Sequence, residues 1–361
     1  MKISHGGDIY DKNIRLDLSV SLNPLGCPES VGKAVSGSIG LLHLYPDIRY
    51  SALKEAIAGY ENRRYAGNES PVRKEMIVPG SGASELISAA AHEFSGKNVL
   101  IKLPVFSGYE RAFENAGCKV SFVQPGEGSY HLPDDGSGLI SRITSGGFDL
   151  VVIGSPANPT GQVINEDLMK DIVKACSKAR SVLLCDEAFM GFVKEKKKYT
   201  LAGHLPGNGH MIIIRSFTKL YSCPGLRLGY AVCSEPDLAD RITAHLPEWN
   251  ISMPAEKAMT ALCTETDFAD KSTEYVSKER EYMMSEMSKL GLNVMHSDAN
   301  FIFFRSDEKL YDRLLEKGIL IRDCRDYKGL GGEGAFRIGI RDRLENDELL
   351  SALKEILCQK I

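Results

Sequence analysis

MIIIRSFTKLYSCPGLRLGY (211–230) is the stretch from which the rest of the chain can be read. Its opening, MIIIRSF, is rich in isoleucine and apolar almost throughout, which reads as a strand buried on both faces. Ser216, Thr218 and Lys219 therefore stand at a strand's carboxyl end, with Arg227 eight residues beyond the lysine. In open α/β sheets that edge is where ligands bind. A lysine held there beside another cation, and partly desolvated, has a lowered pKa and offers a neutral amine to an aldehyde. Ser216 and Arg227 can hold a phosphate, the arginine by paired charge-assisted hydrogen bonds. Taken alone, the segment fits a surface lysine near a turn equally well.

Working outward, similar runs recur: NVLIKLP (98–104), KVSFVQP (119–125), DLVVIGSP (149–156), SVLLCDEAF (181–189) and LGYAVC (228–233). Between two of them, Asn165 to Ala179 reads as a crossover helix capped by Asn165. Strands alternating with helices predict an α/β layer architecture with a mainly parallel sheet covered by helices. After Trp249 the pattern changes. A long polar helical region (254–290) precedes the strands ANFIFFRS (299–306), ILIRD (319–323) and FRIGI (336–340), then a last helix. The expected organisation is an arm over 1–32 that packs with a small domain, a large domain over 33–248, and a small α+β domain over 249–361. KEKKK (194–198) reads as a solvated charged loop.

Other strand ends carry polar groups. Asp186 closes an apolar run, where a carboxylate needs a partner; a protonated pyridine nitrogen is one, and the pair keeps such a ring an electron sink. A helix cap or loop anchor is the alternative. Asn158, in GSPANPTG (154–161), can donate its amide to a ring oxygen while Pro156, Pro159 and Gly161 fix the turn. PGSGASELI (79–87) enters a helix with free N–H groups at Gly82, Ala83 and Ser84, an anion site by geometry and dipole. It lacks the GK[ST] of a Walker loop and the third glycine of a dinucleotide fingerprint, so a single phosphate fits better. Phe106 and Tyr109, in PVFSGYERA (104–112), are candidates to stack on a flat ring. Arg337 interrupts the apolar FRIGI, and a buried guanidinium needs an anion, either a substrate carboxylate or a structural acid.

The composition is that of an ordinary globular chain: 361 residues, 43% hydrophobic, 25% charged. A net charge of -4 gives no reason to expect nucleic acid or an anionic membrane as partner. No run reaches the roughly 18 apolar residues of a membrane span, and no secretory h-region opens the chain. Nine scattered cysteines, without CxxC or zinc-site spacing, lead us to expect no metal and a reduced, cytoplasmic protein.

In combination these elements resemble the class I/II aminotransferase superfamily of pyridoxal-5'-phosphate (PLP) fold type I. The order is Gly-rich turn, aromatic, NPTG, D-E-A-F, S-x-T-K, the arginine eight residues on, and a late F-R-I-G-I. The resemblance covers essentially the whole chain. It implies a seven-stranded sheet, Lys219 as the Schiff-base lysine, Asp186 on the pyridine nitrogen and Asn158 on the phenolic oxygen. Gly82, Ala83, Ser84, Ser216 and Arg227 would hold the phosphate and Tyr109 would stack on the ring. Tyr45, in LYPD, resembles the tyrosine that reaches a neighbouring subunit's phosphate, so a homodimer is implied. Arg337 resembles the α-carboxylate binder.

Two branches compete, the threonine-phosphate decarboxylases of cobalamin biosynthesis and the histidinol-phosphate aminotransferases. HGGDI with His5, LDLSVSLNPLGCP (16–28) with Asn23, PGLRLGY, PEWNIS (247–252) and Phe189 in place of the transaminases' usual tyrosine all resemble the decarboxylases. Ser21 and Ala157 depart from their pattern. The substrate implied is a small molecule, a phosphorylated amino acid in the first branch and histidinol phosphate with 2-oxoglutarate in the second, with His5, Asn23 and Arg322 as candidates for its phosphate. Decarboxylation follows if the carboxylate stands perpendicular to the cofactor ring, transamination if the Cα–H does.

Overall fold

The computed structural model describes residues 6–10, 12–66, 71–124, 137–205, 210–307, 309–330, 332 and 334–358. Its strands are β1 (Leu16–Asp17), β2 (Ile77–Gly80), β3 (Asn98–Lys102), β4 (Lys119–Val123), β5 (Leu150–Gly154), β6 (Val182–Asp186), β7 (Met211–Ser216), β8 (Gly229–Cys233), β9 (Asn293–Val294), β10 (Phe301–Arg305), β11 (Ile319–Leu320), β12 (Arg322–Asp323) and β13 (Ala335–Gly339).

Seven of them form one sheet in the order β2-β8-β7-β6-β5-β3-β4. The pairs from β7 across to β4 are parallel, and β8 runs antiparallel to both its neighbours. The apolar runs are buried because helices cover both faces. Ile212 and Ile214 belong to one core and Ile213 to the other, all fully enclosed. Each such side chain contributes about 1.5–3 kcal/mol by leaving water. The helix Glu166–Ala179 forms as its spacing predicts. Asn165 accepts the Leu168 N–H at 2.8 Å, and Leu168, Met169, Ile172, Val173 and Cys176 make its buried stripe.

A second sheet has the order β12-β13-β10-β9, and β1 pairs in parallel with β11. The run ILIRD thus serves two sheets: Ile319 and Leu320 hold the N-terminal arm, while Arg322 and Asp323 pair with β13. Two expectations differ from what is found. The polar stretch 254–290 is two helices, Met253–Leu262 and Thr266–Lys289. The large sheet's core also runs on past residue 248, through Ile251, Met259, Leu262, Ala269 and Val276. The small sheet's core takes over at Met283, joined by Leu16 and Leu18 of the arm. One 24-residue helix is about 36 Å long and can serve two cores in turn. Among the described residues no helix is long and apolar enough to cross a membrane.

Candidate active site

A cavity of about 220 Å³ opens at the carboxyl edge of the large sheet. Parallel strands put that edge's residues side by side: Asn158 beyond β5, Asp186 ending β6, and Ser216 with Lys219 beyond β7. Lys219 lies in the short helix Phe217–Leu220 and is half-buried. Burial first, then the positive charges of Arg337 and Arg227, push its amine down to about 8, with Asp186 opposing. A tenth or so of such an amine is neutral at pH 7.

Asp186 accepts the Ala188 N–H at 2.8 Å and the Tyr109 hydroxyl. Burial raises its pKa, while those two donors and Lys219 pull it back. A carboxylate so placed gains from a cationic partner on its open side.

The opposite end of the cavity suits an anion. The helix Ala83–Glu93 begins there with no side chain capping it, and Ala83, Ser84, Ser216 and Arg227 line the wall. The space is kept by glycine. Gly82 has φ +83°, and a Cβ on it would lie 2.8 Å from Arg227 Nη2; a Cβ on Gly229 would lie 2.9 Å from the Gly82 carbonyl carbon.

Two arginines close the remaining side. β12 and β13 set Arg322 directly across from Arg337, so both side chains share one face. Arg337 donates to Asn158 Oδ1 at 2.6 Å and to the Ser19 carbonyl at 3.0 Å, and its buried Nε has no hydrogen-bond partner among the described residues. Arg322 donates to both carboxylate oxygens of Asp326, at 2.9 and 2.8 Å, and to the Asp323 carbonyl at 2.7 Å. Both are buried and both line the cavity.

A model of the aminotransferase class I and II family matches residues 13–353. The chain belongs to that family. A protein of Caldanaerobacter subterraneus subsp. tengcongensis with a provisional threonine-phosphate decarboxylase name is 34% identical over 97% of this chain and 93% of its own. The threonine-phosphate decarboxylase of Salmonella typhimurium is 29% identical over 98% and 96%. The crystal structure of the histidinol-phosphate aminotransferase from Clostridium acetobutylicum is 31% identical, covers 95% of this chain and 99% of its own, and superposes with a TM-score of 0.86.

Like its family, this aminotransferase-type enzyme is PLP-dependent, and its cavity fits the cofactor. The glycine-cleared helix start, Ser216 and Arg227 would take the phosphate. Lys219 would take the aldehyde, and Asp186 and Asn158 the two polar positions of the ring.

Two sequence expectations need correction. Tyr109 does not face the cavity: its ring is 2% exposed and its hydroxyl goes to Asp186 from behind. Phe106, three residues earlier, lines the wall instead. Asn23 is not free to bind substrate. Its amide donates to the Leu220 carbonyl at 2.6 Å and to Ser272 at 2.7 Å, and its Oδ1 accepts the Leu25 N–H. It ties the arm to the lysine's helix, with its own N–H on the Lys219 carbonyl at 3.2 Å. Tyr45, expected to serve a neighbouring subunit, is not among the residues lining its own chain's cavity; it is 78% exposed and packs against Trp249. His5 lies outside the described residues.

Other residues were missed. Ser19 and Ser21 of the arm and Tyr327 all line the cavity, and Tyr327 donates to Asn158 Oδ1 at 3.3 Å. Beneath the strand ends, Arg215 donates to Glu61 at 2.8 Å, to Thr200 at 3.0 Å and to Glu187, a buried network next in sequence to both Ser216 and Asp186. The only sequence signal for it was charge inside otherwise apolar runs.

Proposed function

We propose that the protein is a PLP-dependent decarboxylase of a phosphorylated amino acid, of the threonine-phosphate decarboxylase type. The observation that carries this is the pair Arg322 and Arg337, buried and opposed across one ladder beside Lys219. Like charges directly opposite are destabilising; Asp326 answers Arg322 within the chain, and the carboxylate of an amino acid would answer Arg337, with its phosphate toward the wall that Arg322 lines. The two decarboxylase-named relatives, alike over nearly the whole chain, support the same reading.

Bound in the cavity, PLP supplies an aldehyde and an electron-accepting ring. Arg337, with its unpartnered Nε, would orient the substrate carboxylate, and Arg322 would face the phosphate end. Asp186 would hold the proton on the ring nitrogen. Asn158, its Oδ1 already taken by Arg337 and Tyr327, would turn its Nδ2 to the ring oxygen. Once carbon dioxide leaves, Lys219 Nζ would deliver the proton that replaces it at Cα.

The sheltered setting of Phe189, edge-on to Phe301 at 4.9 Å, supplies no phenol to the ring oxygen. We infer a homodimer as the working form: Leu42, Leu44, Tyr45, Ile48 and Trp249 are exposed apolar groups, a surface suited to a second copy, and Tyr45 would reach the partner's phosphate from there.

Carbon dioxide released from O-phospho-L-threonine by the PLP-loaded protein supports this function. Glutamate formed from histidinol phosphate and 2-oxoglutarate, with no carbon dioxide, would replace it by transamination, the reading favoured by the Clostridium structure.

A further inference from the structure

KEKKK (194–198) is not wholly a solvated loop. It borders a groove of about 530 Å³ whose other walls come from Arg63, Arg64 and Asp270. Six cations line it against two carboxylates, Glu195 and Asp270, in a chain whose net charge is -4. Arg63 and Arg64 sit in a π-helical turn, Asn62–Ala66, a distortion of helices that recurs at functional positions.

Arg64 is the informative residue. It is 6% exposed. Its Nη1 reaches Asp270 at 3.1 Å, but its Nε and Nη2 are buried with no hydrogen-bond partner among the described residues. Lys196 lies beside it, its side chain 12% exposed, and its nearest carboxylate is the same Asp270 at 3.9 Å. Burial, and then Arg64, lower the pKa of Lys196. One largely exposed carboxylate thus serves two enclosed cations. Arg63 is spent on the Cys263 carbonyl and Lys194 on Glu281. Lys197 and Lys198, exposed at the rim, form no ion pair among the described residues.

We propose that this groove is a second anion site, for a small molecule carrying two or more linked phosphates. The two unpaired N–H groups of Arg64 are closed to solvent as the side chain stands; a small turn of the guanidinium would bring them to one phosphate at the enclosed end, by the planar fork arginine offers to such oxyanions. Lys197 and Lys198 match a second at the rim. A lone phosphate would engage only one of these groups.

The test is calorimetric titration of the PLP-loaded protein with inorganic pyrophosphate and tripolyphosphate, with inorganic phosphate for comparison. Pyrophosphate should bind at least about tenfold tighter than phosphate, and weaken as salt rises from 50 to 200 mM (about 50 and 200 mM being a range over which surface charge is screened). The rim variant K197Q/K198Q changes only exposed side chains and should fold; it should weaken pyrophosphate about tenfold and leave turnover unchanged. Arg64→Met should abolish binding if it folds. Pyrophosphate binding that the rim variant does not alter, or that O-phospho-L-threonine displaces, would place the anion in the active site and overturn the proposal. So would no binding at millimolar pyrophosphate.

Discussion

Lys102→Met should make this protein more stable. Lys102 ends β3, is 5% exposed, and its amine has no hydrogen bond or ion pair among the described residues. It lines a small void behind the active site with Gly154, Pro156 and Phe189. Burial alone pushes its amine from 10.5 down to about 8. At about 1.36 kcal/mol per unit, that shift corresponds to roughly 3 kcal/mol against folding at pH 7. The sign follows from proton binding. Below pH 8 the lysine is protonated in both states, so the full penalty applies. Between 8 and 10.5 the unfolded chain holds the proton more tightly, so stability rises with pH and the penalty fades. Methionine keeps the length of the stem without the charge. Urea unfolding of the PLP-loaded protein should show the variant more stable by about 3 kcal/mol at pH 7 and about 2 kcal/mol at pH 9. Equal stability at pH 7, or an advantage that does not shrink at pH 9, would refute the reasoning.

Four further outcomes are expected. Lys219→Ala should remove the borohydride-fixable cofactor from the 219 peptide and lower turnover by about 10²- to 10⁴-fold, read by peptide mapping and carbon dioxide release. Capture of PLP by the apoenzyme should speed up about tenfold per pH unit below 8 and level off above it, because only the neutral amine of Lys219 attacks; a flat stopped-flow profile from pH 6 to 9 would contradict the lowered pKa. Arg337→Gln should reduce kcat/KM by about 10- to 100-fold, the worth of charge-assisted hydrogen bonds, with far less effect on the inhibition constant of an amine that lacks the carboxylate. Phe189→Tyr should return a phenol to the ring oxygen and move the pH midpoint of the bound cofactor's visible absorbance down by on the order of one unit, by titration in a spectrophotometer.

The sheet was legible because its strands are apolar on both faces. The residues that break those runs, Asp186, Ser216 and Lys219, mark the carboxyl edge for the same reason. What sequence could not resolve was direction and distance. Phe106 and Tyr109 are three residues apart, and only the start of the helix Gly108–Asn115 decides which ring turns into the core and which toward the cavity. Asn23 sits in a stretch resembling a substrate-binding motif, yet its three side-chain hydrogen bonds are local or reach 197 and 249 positions away. Tyr327 carries no signature and the arm serines stand in a recognisable stretch without marking themselves as cavity residues, because their place there depends on pairings between distant strands. The core passes from one sheet to the other in mid-helix, where composition does not change.

The arm's anchoring fixes when, during synthesis, the site is finished. The Ser19 carbonyl is held by Arg337, 318 positions later, and the Leu18 carbonyl by the Gly339 N–H at 2.7 Å. At roughly 5–20 residues per second, a ribosome takes on the order of half a minute to supply those partners. Until then the nascent chain can build most of the large sheet, lysine included, with one wall of the pocket missing. A transcript cut short before β13 would therefore yield a protein able to enclose its apolar strands yet without the guanidinium that ties strap and loop together.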